Sequence, residues 1–139
     1  MSATQQVPLS HRAGRGSVLI VDDVLVVRMW IAEFLRGRGF EVIEAASGEE
    51  AIGVLEAGPP VDLVLSDVYM PGAEVDGVLL ARWVHERRPD LKIILATGVP
   101  HALEPSDLAI CACPLLSKPY DHRELERRIT TVLQRAAAD

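Results

Sequence analysis

Five residues of this chain have side chains suited to handling a phosphoryl group, and each closes a short, largely apolar run. Asp22 and Asp23 follow residues 18–21, Asp67 follows 61–66, Thr97 follows 93–96 and Lys118 follows 115–117. Phosphoryl transfer depends on positioning and charge neutralisation more than on elaborate covalent chemistry, and a carboxylate is a competent nucleophile for it. Three carboxylates brought together repel one another unless a cation neutralises them or some stay protonated. A donor set of oxygens alone selects a hard cation, and Mg²⁺ takes a few carboxylates together with water and a substrate phosphate. On this reading Asp67 is the nucleophile and Asp22 and Asp23 hold Mg²⁺. Lys118 pairs with one phosphoryl oxygen as a point charge, and Thr97 donates a hydrogen bond to another.

Bringing five such positions together is a task for a parallel sheet. Strands covered on both faces read as unbroken apolar runs, and in open α/β sheets ligands collect beyond the carboxyl ends of the strands. The expected strands are 18–21, 40–45, 61–67, 91–96 and 115–117. Between them fall a helix over 24–38 with Val27, Ile31, Phe34 and Leu35 on one face, and a second opened by the Ser47/Glu50 capping box and running to Ala57. A third is capped by Asp76 and stopped by Pro89, with Leu79, Leu80, Trp83 and Val84 along it. A short helix is expected over 106–110, and the last starts at Asp121 with Leu125, Ile129, Val132 and Leu133 inward and Arg123, Arg127 and Arg128 outward. Strict alternation gives a flavodoxin-like (βα)5 doubly wound parallel sheet of strand order 2-1-3-4-5, with its switch point between strands one and three, the strands that end in the acidic residues.

The 139 residues fit a single domain, read as a flexible tail over 1–16 and a folded domain over 17–139. A formal net charge of −6 argues against direct binding to nucleic acid or to an anionic membrane surface. No apolar stretch is long enough for a membrane span or a secretion signal, so the expected location is cytoplasmic. Cys111 and Cys113 are too few for a disulfide framework and are read as small reduced residues. Trp30, Trp83, Phe34 and Phe40 are assigned to packing, and His11, His85, His101 and His122 are too scattered to suggest catalysis.

Taken singly, each of the five chemical residues has a plainer reading as a strand end, a helix cap or a surface charge. Taken in order, the sequence resembles the receiver domain of two-component response regulators (CheY-like) over residues 17–135. The family's acidic pair falls on Asp22 and Asp23, its phosphoacceptor on Asp67 followed by Met70-Pro71, its hydroxyl residue on Thr97 and its Lys-Pro on Lys118-Pro119. The resemblance implies phosphorylation of Asp67, a Mg²⁺ site completed by the backbone carbonyl of Tyr69, and a cis bond before Pro119. It also implies a phosphodonor that is a sensor histidine kinase or a histidine phosphotransfer protein. Such a protein is a phosphoacceptor with self-catalysed phosphorylation and dephosphorylation at most, rather than an enzyme.

Because the chain stops after its fifth helix, it is expected to be a stand-alone receiver that signals to an unknown downstream protein. The signalling surface runs from strand four to helix five and is also a candidate homodimer face. Two departures from the family pattern stand out. Leu115 takes the switch position where receivers usually carry Tyr or Phe, and the loop after Pro71 is longer than in the commonest receivers, adding Gly72, Ala73, Glu74 and Val75 before Asp76-Gly77. Three alternatives compete with this reading. A haloacid-dehalogenase-type Mg²⁺ phosphatase would need Asp where Tyr69 stands, and a flavodoxin relative would need a phosphate-binding first turn. A phosphorylation-independent receiver-fold module draws support only from Leu115.

Overall fold

Unbroken apolar runs become buried strands. β1 (Ser17–Val21) and β3 (Leu63–Asp67) are buried at every residue. They are joined by β2 (Glu41–Ala45), β4 (Lys92–Thr97) and β5 (Leu115–Ser117) in one parallel sheet of order β2-β1-β3-β4-β5, the expected flavodoxin-like topology. The computed structural model describes residues 14–99, 103 and 113–138. The segment 1–13, the helix expected over 106–110 and Cys111 lie outside the described residues.

Side chains alternate across a strand, so each central strand feeds two cores. Leu19 and Val21 of β1, Val64 of β3 and Ile93 and Leu95 of β4 pack with Ala51 and Leu55 of α2 (Gly48–Ala57) and Leu80, Ala81 and Val84 of α3 (Gly77–Arg87). Val18, Ile20, Leu63, Leu65, Ile94 and Ala96 point the other way. They meet Ile31 and Leu35 of α1 (Leu25–Gly37) and Leu125, Ile129 and Leu133 of the C-terminal helix (His122–Ala138). Two caps sit where the sequence places them: Ser47 Oγ accepts the Glu50 N–H at 3.2 Å and Asp76 Oδ1 accepts the Leu79 N–H at 3.0 Å. Among the described residues no helix is long and apolar enough to cross a membrane.

Several side chains depart from the expected pattern. The core-facing side of α1 is built on Ile31, Ala32 and Leu35, and Val27 is exposed. Trp30 is not packed away either, being 67% exposed. Leu79 faces solvent on α3, and Cys113 is disulfide-bonded rather than reduced. Packed structure begins before residue 17. Arg15 Nη1 lies 2.5 Å from Glu126 Oε2, Nη2 donates to Thr130 Oγ1 at 2.8 Å, and the guanidinium stacks 4.5 Å from the Phe40 ring centre.

The two outer strands are each held by an arginine. Arg36 Nη2 of α1 donates to the Val42 carbonyl of β2 at 3.1 Å, and Arg128 Nη2 of the C-terminal helix donates to the Leu115 carbonyl of β5 at 2.7 Å. Arg128 is therefore turned inward to the sheet, against the expectation that it points to solvent with Arg123 and Arg127.

Candidate functional site

Asp22, Asp23, Asp67, Thr97 and Lys118 stand together at the carboxyl end of the sheet. Asp22 follows β1 and is fixed on three sides: its N–H donates to the Ala45 carbonyl at 3.1 Å, its Oδ1 accepts the Val24 N–H at 2.8 Å, and its carbonyl accepts Arg28 Nη1 at 2.8 Å. Arg28 is itself held by Glu44, Nε to Oε1 at 3.1 Å. Asp67 closes β3 and is 8% exposed. One carboxylate oxygen from each of Asp22, Asp23 and Asp67 lies within 4.8 Å of the others, close enough for one ion to bind all three.

Lys118 comes from the loop after β5 and reaches in to place Nζ 2.5 Å from Asp67 Oδ1. Its own N–H donates to the Thr97 carbonyl at 2.8 Å, tying it to the end of β4. Thr97 is buried beside Asp67, whose register partner on β4 is Ala96, and its Oγ1 accepts the Val99 N–H at 3.1 Å. The Lys118–Pro119 peptide bond is cis. Tyr69, two residues beyond Asp67, presents its side chain to solvent, and Leu115 is half-buried at the start of β5.

The electrostatics follow from crowding anions in a buried place. Burial first, then the charge of Asp22, push the Asp67 carboxyl up to about 7, against the opposing pull of the Lys118 ammonium. Burial and the charges of Asp67 and Asp22 also push the Tyr120 hydroxyl well above its ordinary range, so it stays protonated. An Asp67 carboxylate destabilised by burial and by Asp22, with a third carboxylate alongside, fits a hard divalent cation, and the donors are oxygens alone.

Several contributors were not singled out from the sequence. Arg28 sits on α1 five residues after Asp23, with nothing in its spacing to mark it as the support of the Asp22 carbonyl. Gly77 opens α3 so close to Asp67 that a Cβ there would lie 2.0 Å from the Asp67 carbonyl oxygen, and its N–H donates to the Val68 carbonyl at 2.9 Å. A glycine after a capping Asp is the only sequence signal for that contact. Glu49 reaches across 25 and 26 positions to the N–H groups of Glu74 and Val75, each at 3.1 Å. Glu74, one of the residues that lengthen this loop, is exposed, and its N–H is taken by that contact.

The family model of the response regulator receiver domain matches residues 18–130. The chain is 35% identical over 117 residues to the response regulator receiver protein CpdR of Brucella abortus (strain 2308), covering 84% of this chain and 95% of CpdR. The chain belongs to the response regulator receiver family. This receiver is also 37% identical over 125 residues to the sensor kinase CckA of the same organism, covering 88% of the receiver and 13% of CckA. It spans 48% of the aerobic respiration control protein ArcA of Escherichia coli (strain K12), and so under half of that relative. Its fold matches the solved response regulator protein TrrA of Thermotoga maritima in complex with Mg²⁺-BeF at a TM-score of 0.73 and 32% identity, covering 84% of the receiver and 98% of TrrA.

Membership in this family of two-component systems removes the phosphatase and flavodoxin alternatives. Receiver domains are phosphoacceptors that bind Mg²⁺ at an acidic pocket, and Asp22, Asp23 and Asp67 form an acidic cluster at the sheet end of this chain.

Proposed function

We propose that this receiver accepts a phosphoryl group on Asp67 from a phosphohistidine of a sensor histidine kinase or a histidine phosphotransfer protein, and passes the change to a partner protein. The observation that carries the reading is the meeting of three carboxylates and the Lys118 ammonium at one sheet end, with Thr97 alongside. Asp22, Asp23, Asp67 and the Tyr69 carbonyl would hold Mg²⁺, which when bound supplies positive charge to the transferring phosphoryl oxygens.

The remaining chemistry belongs to the protein. Asp67 must be ionised to attack: one carboxylate oxygen forms a bond to phosphorus while the bond from phosphorus to the histidine nitrogen breaks, the imidazole keeping that electron pair and taking a proton from solvent. An acyl phosphate results. Lys118 moves from the free carboxylate to a phosphoryl oxygen, and Thr97 exchanges its contact with the Val99 N–H for a donated bond to another. Both residues belong to the ends of β4 and β5, so their movement biases the surface from β4 to the C-terminal helix that a partner reads.

The donor must approach past α1, whose Leu25, Val26, Met29 and Trp30 are exposed together with its N-cap Val24. Between this helix and Pro119, Tyr120 and His122 runs a mainly apolar groove of about 540 Å³ that also touches Lys118. A donor protein bringing its histidine to Asp67 covers this surface, and burying it supplies binding energy.

Incubation with Mg²⁺ and acetyl phosphate, followed by intact mass measurement, tests the reading. An acid-stable, base-labile phosphoryl adduct is expected in the wild type and absent from Asp67→Ala. No adduct in the wild type, even with a competent kinase, overturns phosphoacceptance and leaves the phosphorylation-independent module; an adduct on Asp67→Ala moves the acceptor elsewhere.

A further inference from the structure

The longer loop between β3 and α3 does not hang free. At its near end the Val68 N–H donates to the Ala96 carbonyl at 3.0 Å, and at its far end the Gly77 N–H returns to the Val68 carbonyl at 2.9 Å. In between, the Ala73 N–H donates to the Met70 carbonyl at 3.1 Å. The added residues are then gripped by the first turn of α2. Glu49 Oε2 accepts the Glu74 N–H and Oε1 accepts the Val75 N–H, both at 3.1 Å, and the Gly48 N–H donates to the Val75 carbonyl at 3.0 Å.

Packing tightens the same junction. A Cβ on Gly48 would lie 2.3 Å from the Val75 carbonyl oxygen and 2.5 Å from Val75 Cγ1, so the loop occupies the space that any larger residue would need. One carboxylate bridging two successive amides is a chelate, and backbone donors, the residue's own N–H first and then those of Glu74 and Val75, hold the Glu49 carboxyl below its ordinary value. Glu49 thus stays ionised and able to accept through the neutral range.

We propose that Glu49 is a positioning residue for the metal site: by fixing Glu74 and Val75 it restricts the loop that carries Tyr69, and so strengthens Mg²⁺ binding at Asp22, Asp23 and Asp67. The inference rests on the metal reading given under the proposed function. Mg²⁺ demands near-ideal octahedral geometry at short range, so a carbonyl ligand on a loose loop costs affinity when it must be ordered on binding. Outer-shell partners of metal ligands commonly matter by about 10- to 100-fold in affinity, and a clamp one step further out should contribute roughly 3- to 10-fold.

The test compares wild type, Glu49→Ala and Glu49→Gln by calorimetric Mg²⁺ titration and by amide hydrogen exchange of the metal-free proteins. Glu49→Ala is expected to speed exchange at Glu74 and Val75 and to weaken Mg²⁺ binding by roughly 3- to 10-fold. Glu49→Gln, which keeps an acceptor oxygen, should recover part of both. Thermal melting of the metal-free proteins separates a loop effect from general unfolding, because the proposal requires exchange to change at the loop and not across the sheet. Unchanged exchange at Glu74 and Val75, or faster exchange with unchanged Mg²⁺ affinity, overturns the proposal. If Glu49→Ala unfolds, Glu49→Gln decides by the same two measurements. Absence of Mg²⁺ binding in the wild type overturns the metal reading itself, whereas wild-type binding matched by both variants overturns only the role of Glu49.

Discussion

Lys118 Nζ sits 2.5 Å from Asp67 Oδ1, so the carboxylate proposed as acceptor is already paired with a cation in the resting protein. In the proposed transfer the same ammonium would be needed by the phosphoryl oxygens once the bond to phosphorus forms. Its net contribution to that transfer would be the difference between those two interactions, since only what strengthens in the transition state speeds the reaction.

Lys118→Met removes the ammonium while keeping an unbranched side chain. The rate of adduct formation from acetyl phosphate should fall on the order of 10²-fold, as when a positioned electrostatic donor is lost from other sites. A time course of intact mass at fixed Mg²⁺ measures it. A rate equal to that of the wild type would mean that Lys118 serves the resting carboxylate alone.

The Asp67 carboxyl, pushed up to about 7 by burial and by Asp22, makes a signed prediction for stability. In the folded metal-free protein this group retains a proton that the unfolded chain has already lost, so stability attributable to it declines as pH rises from about 4 to about 7. Asp67→Asn cannot ionise and escapes that loss. Urea midpoints measured without Mg²⁺ should therefore favour the variant over the wild type increasingly with pH through this window, and Mg²⁺ should narrow the gap by stabilising ionised wild type. A difference independent of pH would contradict the raised value.

Gly77→Ala places a methyl where the Asp67 carbonyl oxygen already is, 2.0 Å from an ideal Cβ. Backbone, rather than a flexible side chain, has to give way. The expected cost is about 1–3 kcal/mol, the range seen for overpacked sites, together with slower phosphorylation because Asp67 itself is displaced. Denaturant unfolding and the acetyl phosphate assay check the two parts; an unaltered rate in a destabilised variant would show that α3 shifts while Asp67 stays in place.

Trp30→Ala separates the donor surface from the chemistry. Trp30 is 67% exposed, so stability should change by no more than about 0.5 kcal/mol. Phosphorylation by acetyl phosphate should be unaffected, whereas transfer from a cognate kinase should slow by about tenfold or more, as expected for a large aromatic in a protein contact. Equal slowing with both donors would place Trp30 in the acceptor site instead.

The sheet and the acidic cluster were legible because both are written locally: a doubly covered strand is a continuous apolar run, and a strand-end residue is the next polar one. The Asp22, Asp23, Asp67, Thr97 and Lys118 set needed no long-range information beyond strand order. The buried side of α1 was harder to read. Apolar residues occur nearly all around its first two turns, so periodicity found Ile31 and Leu35 but also put Val27 on that face, missed Ala32 and left Trp30 assigned to packing. Contacts such as Glu49 with Val75, or Arg128 with the Leu115 carbonyl, depend on where two elements meet in space, and charged side chains on helices carry no sequence mark of direction.

Arg36 on Val42 and Arg128 on Leu115 occupy outward carbonyls at the two borders of the sheet. A border strand with free carbonyls and amides is a template on which another chain can add, and positive side chains laid along it oppose such growth. The short β5 offers little length for pairing, and β2 adds Glu41 and Glu44 to the other border. Growth of the sheet by an added strand is thereby opposed at both of its borders by side chains already in place.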